Sequence, residues 1–471
     1  MTESGLIWIE ATFYPDSPFM IGGGFESQNL RESQTFIPGS VIRGALAALI
    51  LEARGWLWPA GELPEAGSDP LADRFCRTFL DQRRAVRMTA LFPVPQGSPR
   101  TKEEKEPGER WDRWIGFPMP LTARQCKANP EHGIFDTALP IPGHTGGIGC
   151  PRCRERVARA RGWLAYAAPA TEETPENAAV DRERHYRKVA PARRTVTRVG
   201  INRFTETAEK GMLYSLRVVD DRHVVYRGFW PASEAAWEEL ESLLNETGWP
   251  AVAGQNERGW AVKVGGNRAR GFGRGILVLR RLPGADRPGL PGLMQRVQMG
   301  QQEQIFLLTL QSPLILGDML LGRESESSIR RWWSQEIFAQ AGLTPPPGWE
   351  WVPELSVLEW STVSGWSQAW RLPKAVQPAL AAGSVLAYRL AGTPSAAATA
   401  AAEATATAAE VGQQLTAFLA QVERNGLGLE RLAGFGDVVV CHPFHWDANP
   451  GRARNQRPAT ATAKGGRSEV S

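Results

Sequence analysis

The stretches Gly265–Gly275, GGNRARGFGRG, and Gly426–Gly436, GLGLERLAGFG, decide how the chain is read, because each sits between an amphipathic segment and an apolar run. Ahead of the first lies SEAAWEELESLLNETG, with apolar residues at helical spacing and a serine at its start; behind it lies ILVLRRL, an apolar strand pattern. VGQQLTAFLAQVERNG precedes the second and DVVVCHPFHW follows it. Both parts of the chain thus end in helix, glycine loop and strand, which predicts an internal duplication of a split βαβ, ferredoxin-like unit and an α+β class.

Working outward, GLIWIEATFYP at residues 5–15 and AVRMTALFPVP at 85–95 read as strands, and IPGSVIRGALAALILEA as a helix that Ser40 caps. Val41, Ile42, Leu46, Leu49 and Ile50 fall on one face of it. ESSIRRWWSQEIFAQA reads as a helix, and IFLLTLQSPLIL, ELSVLEWSTV and SVLAYRLAG as strands. The expected domains are residues 1–282, a Pro/Gly linker at 283–294, residues 295–448, and a disordered polar tail at 449–471. Residues 96–178, rich in Pro, Gly and charge, read as an insertion in the first domain. The Ala/Thr-rich stretch at 394–410 reads as a loose linker.

Length and charge set bounds on function. At 471 residues the chain predicts two or three domains. Hydrophobic residues at 42% and charged residues at 22% exclude a chain disordered throughout. No apolar run is long enough to span a membrane and no leader is visible, so the cytoplasm is the expected location. The net charge of +4 does not by itself call for a polyanionic partner, but 46 of the 54 basic residues are arginine. Arginine binds phosphate bidentately and stacks on bases, although a GC-rich genome also writes arginine for lysine. Placement decides. Residues 181–203 carry Arg182, Arg184, Arg187, Lys188, Arg193, Arg194, Arg198 and Arg203 against Asp181 and Glu183, a local +6. The run continues through TVTRVGINRFTETAEKGMLYSL, which predicts a protruding basic hairpin. In the first glycine loop, the N–H groups around Gly265, Gly266, Asn267, Gly271 and Gly273 predict a concave phosphate site flanked by Arg268, Arg270 and Arg274. Phe272, Phe204 and Tyr214 are candidate stacking surfaces, and each is also a plausible core residue. The second loop, with Arg431, Gly434, Phe435 and Gly436, has the weaker basic character.

Five cysteines do not suggest a disulfide framework. Cys150-Pro-Arg-Cys153 forms a tight CxxC turn that, with Cys126 and either His132 or His144, has the makings of a closed, structural zinc site; His132 is the choice because it follows Cys126 at short range. A reduced cluster without metal, and a redox pair, are the alternatives. Cys76 and Cys441 stand alone.

IPGSVIRGALAALI, RVGINRFTETAEKGMLY, GGNRARGFGRG and GLGLERLAGFGDVVVCHPFHW together resemble the RAMP superfamily of CRISPR-associated proteins. With PLTARQCK and EHGIFD leading to CPRC, the set is most similar to the Csx-ten family, the Cas-five-like subunit of type III-D systems. The resemblance implies two RRM-like ferredoxin folds that hold the 5′ repeat-derived handle of CRISPR RNA. The partners it implies are the large polymerase-like subunit, the RAMP backbone subunits and, indirectly, target RNA. By position it makes Ser40, Arg43, the Gly265–Gly275 loop and the 194–214 hairpin the RNA-facing elements, and gives zinc to Cys126, His132, Cys150 and Cys153. The expected protein is a binder, not an enzyme. The alternatives are a CRISPR RNA-processing endoribonuclease, for which His185 is the one histidine worth testing, and a backbone subunit that cleaves target RNA.

Overall fold

The computed structural model describes residues 5–22, 27, 29–55, 67, 69–81, 86–95, 114–140, 149–167, 185–222, 224–248, 250–252, 258–317, 325–367, 372–391 and 402–450. His144, Arg182 and Arg184, parts of the insertion, and 451–471 of the expected tail lie outside them. Among the described residues no helix is long and apolar enough to cross a membrane.

The first half is built on a six-stranded antiparallel sheet in the order Pro250–Val252, Arg258–Lys263, Arg274–Pro283, Leu6–Pro15, Val224–Ser233, Phe92–Pro95. Helices Gly39–Ala53 and Glu234–Asn245 cover one face, where Ile42, Leu46, Ile50, Trp237, Leu240 and Leu244 meet Ile7, Ile9, Phe13 and Leu277. The second half has a four-stranded sheet in the order Trp349–Trp351, Val385–Leu390, Phe306–Leu310, Val438–Val440, packed against Ala402–Asn425. Setting aside the outer strands 250–252 and 258–263, both sheets read fourth, first, third, second in chain order. The central strands Leu6–Pro15, Val224–Ser233, Phe306–Leu310 and Val438–Val440 are buried almost along their whole length, as strands covered on both faces are.

Several elements differ from the sequence reading. The helix at residue 39 has Pro38 in the cap position with no side-chain cap bond, so Ser40 does not cap it. Gly39 opens the helix because a Cβ there would lie 1.9 Å from the Met88 carbonyl oxygen. Of residues 85–95 only Phe92–Pro95 is a strand. Val86–Ala90 is buried but outside any ladder, since it carries Arg87 into the other half. The first glycine loop joins two strands, Arg258–Lys263 and Arg274–Pro283, where the sequence reading had a helix before it. The low-complexity stretch is helical from Ala402. The last strand stops at Val440, after which Cys441 takes a positive φ of 45° and Phe444–Asp447 forms a helical turn. Asn449, assigned to the tail, is buried and donates to the Leu139 carbonyl at 3.1 Å.

The halves are joined by buried charge. Asp437, immediately after the second glycine loop, accepts from Arg87 of the first half at 3.2 Å and from Arg287 at 2.8 Å. Arg87 also donates to the Glu423 and Arg424 carbonyls, and Arg287 to that of Val438. Beside them Arg296 pairs with Glu423 at 2.6 Å. The supposed linker at 283–294 is therefore a fixed connection that delivers Arg287 to this cluster. The insertion and the strand after it hold the end of the second half: His445 lies between Asp136 of the insertion (3.1 Å) and Thr309 (2.7 Å), and Tyr186, just past the insertion, donates to Asp447 at 2.9 Å. Removing one partner of a buried pair leaves the other charge uncompensated, at a cost of about 3–5 kcal/mol. Asp437→Asn is expected to lower unfolding stability by about that amount in urea titration. An unchanged midpoint would show that the junction does not depend on the carboxylate.

Candidate nucleic-acid interface and thiol cluster

Strands Arg193–Ile201 and Ala208–Val219 form the expected hairpin, joined on its other edge by Leu30–Glu32 in parallel register. The turn is held by the Asn202 side chain, which accepts from the Phe204 and Thr205 N–H groups. Side chains alternate between its two faces. Val196, Arg198, Tyr214, Leu216 and Val218 turn inward; Thr195, Thr197, Val199, Leu213, Ser215 and Arg217 lie on the opposite face. At the tip Phe204 is 99% exposed.

The inward face meets the first glycine loop. Phe272 packs with Met20, Leu216 and Val218, and the Arg198 guanidinium sits 5.0 Å above its ring. Arg270 donates to the Tyr214 hydroxyl. The structure thus unites two motifs that are separate in sequence: Arg270 and Arg274 of the loop and Arg203 at the hairpin tip are exposed on this element, while Arg217 is exposed on the opposite face of the hairpin. Phe272 is buried at the base of this element and is no exposed stacking platform.

The loop's glycines have a packing explanation. Asn267, Gly265, Gly271 and Gly273 take φ of 58°, 73°, 86° and 77°. A Cβ on Gly265 would lie 2.3 Å from the Met20 oxygen, and one on Gly273 2.0 Å from the Val264 oxygen. The N–H groups of Gly266, Arg270, Gly271 and Gly273 are all donated to carbonyls of Met20, Asn267, Arg268 and Pro18. These four are spent inside the protein and are not available to a backbone phosphate nest, so most of the loop's anion affinity falls to its cationic side chains. Arg268 is half-buried.

The second loop faces inward. A Cβ on Gly434 would lie 2.4 Å from the Met88 oxygen and 3.1 Å from the Gly39 Cα, and Arg431 donates to the Ala341 carbonyl. Phe435 is half-buried and Gly436 buried. The start of the Ser40 helix packs on this loop, and burial draws the Arg43 guanidinium below its ordinary pKa.

In the insertion, a three-stranded sheet of Ile134–Asp136, Ala123–Cys126 and Val157–Arg159 presents the thiols. The ligand atoms of Cys126, His132, Cys150 and Cys153 all lie within 4.8 Å of one another. The Cys126 and Cys153 sulfurs are 3.6 Å apart, and Cys150 Sγ is 3.4 Å from His132 Nδ1. A tetrahedral zinc with Zn–S near 2.3 Å has sulfur edges of about 3.8 Å, so the four residues fit that ion. Burial opposes ionisation of Cys150, but the N–H groups of Cys153 and Arg152 and the His132 side chain outweigh it and bring the thiol to about 6. Cys441 is a different case, buried and pushed up to about 12.

Sequence reasoning passes over Arg217, whose only signal is the alternation that places it on the face of Leu213 and Ser215. It also passes over Asp136 as a partner of His445, which no spacing could reveal.

A sequence profile described as the RAMP superfamily matches residues 12–276. No curated protein matches the chain. Among solved structures, a chain of the type III-B Cmr-beta complex bound to cognate target RNA and AMPPnP is similar at 12% identity and a TM-score of 0.38, over 80% of this chain and 86% of that one. Oligomeric Cmr4 from Pyrococcus furiosus is similar at 8% identity and a TM-score of 0.22, over 59% of this chain and 99% of that one.

The Cys150 thiolate carries a pH dependence with a definite sign. Its folded value lies below the ordinary 9.0, so its contribution to stability is present above the unfolded value and is lost as pH falls through about 6. Thiolate ultraviolet absorbance of chelator-treated protein, compared with Cys150→Ser, is expected to show a difference that titrates near pH 6. A difference titrating at the ordinary thiol value would contradict it.

Proposed function

The chain belongs to the RAMP superfamily, and from that premise we propose that it is a non-catalytic CRISPR RNA-binding subunit of a type III effector complex. The resemblance to the Csx-ten family favours the III-D form, with the 5′ handle as ligand and the large polymerase-like subunit and RAMP backbone subunits as neighbours. The shared strand order of the two sheets fits tandem ferredoxin-like units, the first interrupted by the thiol-bearing insertion.

One observation carries the proposal: the basic hairpin and the first glycine loop form a single exposed surface. Single-stranded RNA is held by charge neutralisation along its backbone and by stacking of its bases. Arg203, Arg270 and Arg274 supply the first, and Phe204, with no packing partner to occupy its ring faces, is suited to the second. The second loop, docked on the first half, serves the junction. The absence of catalysis is part of the proposal and is consistent with the buried His442 and His445 being committed to the interior, where burial holds the His442 pKa well down. Zinc at Cys126, His132, Cys150 and Cys153 would act structurally, with four protein ligands closing the site.

Arg203, Arg270 and Arg274 changed together to Ala are expected to weaken binding of repeat-derived RNA and to reduce the salt slope of log K by roughly 2, three phosphates at about 0.7 each. The same incubations are expected to yield no discrete cleavage product, and a His185-dependent cut would replace this reading with the endoribonuclease. An unaltered salt slope would remove the hairpin surface from the site. Metal analysis of the purified protein is expected to find about one zinc per chain, lost in Cys150→Ser; full stability in a zinc-free preparation would exclude a structural ion.

A further inference from the structure

We propose that the cleft between the hairpin sheet and the insertion is a pocket for one unpaired purine base, an inference that rests on the RNA-binding reading above. The cleft has a volume of about 330 Å³ and is lined by Glu32, Ser33, Gln34, Thr35, Phe36, Trp163 and Arg193. That volume falls in the range of small-ligand sites, which combine an apolar wall with a few fixed polar groups.

The wall is aromatic and held in place. Trp163, on the insertion strand Trp163–Ala167, donates its indole N–H to Thr35 Oγ1 at 2.8 Å. The Phe36 ring lies 5.1 Å from it at 46°, and Phe92 backs both rings at 5.5 and 6.1 Å. Both Trp163 and Phe36 remain half-exposed on the cleft side of this cluster. A fixed indole loses little freedom when a base stacks on it, and a two-ring purine covers more of it than a pyrimidine does.

The polar edge is complementary to a base. Glu32, which only accepts, is paired with Arg193, which only donates, and Arg217 stands 3.7 Å from the same carboxylate. The Watson–Crick edge of adenine or guanine sets a donor beside an acceptor, the pattern such a pair meets; uracil has the same pattern, so the preference for a purine comes from the stacking wall. Arg193 has five N–H groups, more than one carboxylate can satisfy, so hydrogen-bonding capacity remains. Arg193 also starts the hairpin strand, on the face that carries Arg217, so the cleft has basic side chains at its rim.

The test uses the full-length protein and three probes: single-stranded oligouridylate, the same strand with one adenosine or guanosine, and that strand with the purine abasic. The purine strand is expected to bind about tenfold more tightly than the abasic one, within the range of a single base stack. Trp163→Leu is expected to reduce that ratio to below about twofold while leaving the salt slope unchanged. Glu32→Gln keeps the shape of the side chain and guards against a folding defect in the first variant; it is expected to reduce the advantage of the purine strand over the abasic one. Equal binding of the three probes by the wild-type protein, or a purine preference that survives both variants, overturns the pocket while the RNA-binding reading stands. Failure of all three probes to bind overturns both.

Discussion

A single buried carboxylate holds the two halves in one arrangement. Asp437 receives guanidinium groups from Arg87 of the first half and Arg287 of the connection, and neither arginine has access to water to relieve its charge. Burying such groups is favourable only when the geometry satisfies them; here N–H groups beyond those on the carboxylate reach main-chain carbonyls at 423, 424 and 438, although Arg87 Nε is buried without a partner among the described residues. The cluster therefore specifies one relative placement of the halves, and sliding either sheet would strand a charge.

The two glycine loops illustrate how similar sequence can be put to different uses. Each combines a residue in left-handed conformation, a short turn and close backbone approach, at Asn267 to Gly271 in the first and Glu430 to Gly434 in the second. In the first loop the turn presses against Met20 and Pro18 of its own half and leaves arginines facing out. In the second it presses on Met88 and Gly39 of the other half, and its arginine is used internally. The loop fold is a packing device in both; what differs is which surface remains outside.

Much of the fold was legible because periodicity records burial. Leu6–Pro15, Glu234–Asn245, the basic hairpin and the Cys126, His132, Cys150, Cys153 cluster all came from local patterns, spacing or turn chemistry. The misreadings share a physical cause. Val86–Ala90 looked like a strand because it is buried; Val86 and Met88 pack in the first-half core while Arg87 reaches the other half, and no ladder forms. Arg258–Lys263 escaped notice beside a more conspicuous helix, so the loop's context was misassigned. Phe272 has the composition of a stacking residue, and only the fold reveals that Met20 and Val218 enclose it. The cleft at Trp163 draws on the insertion, the hairpin and the approach to the Ser40 helix, a convergence with no linear signature.

Gly39 and Gly434 both press on the Met88 carbonyl, 1.9 and 2.4 Å from where their Cβ atoms would lie, which leaves no room for a methyl group at either. Two positions at opposite ends of the chain consequently behave as one site in a genetic sense. Drift at either is blocked while the Met88 carbonyl stays in place, and a chimera that takes its two halves from different relatives must keep both glycines around it.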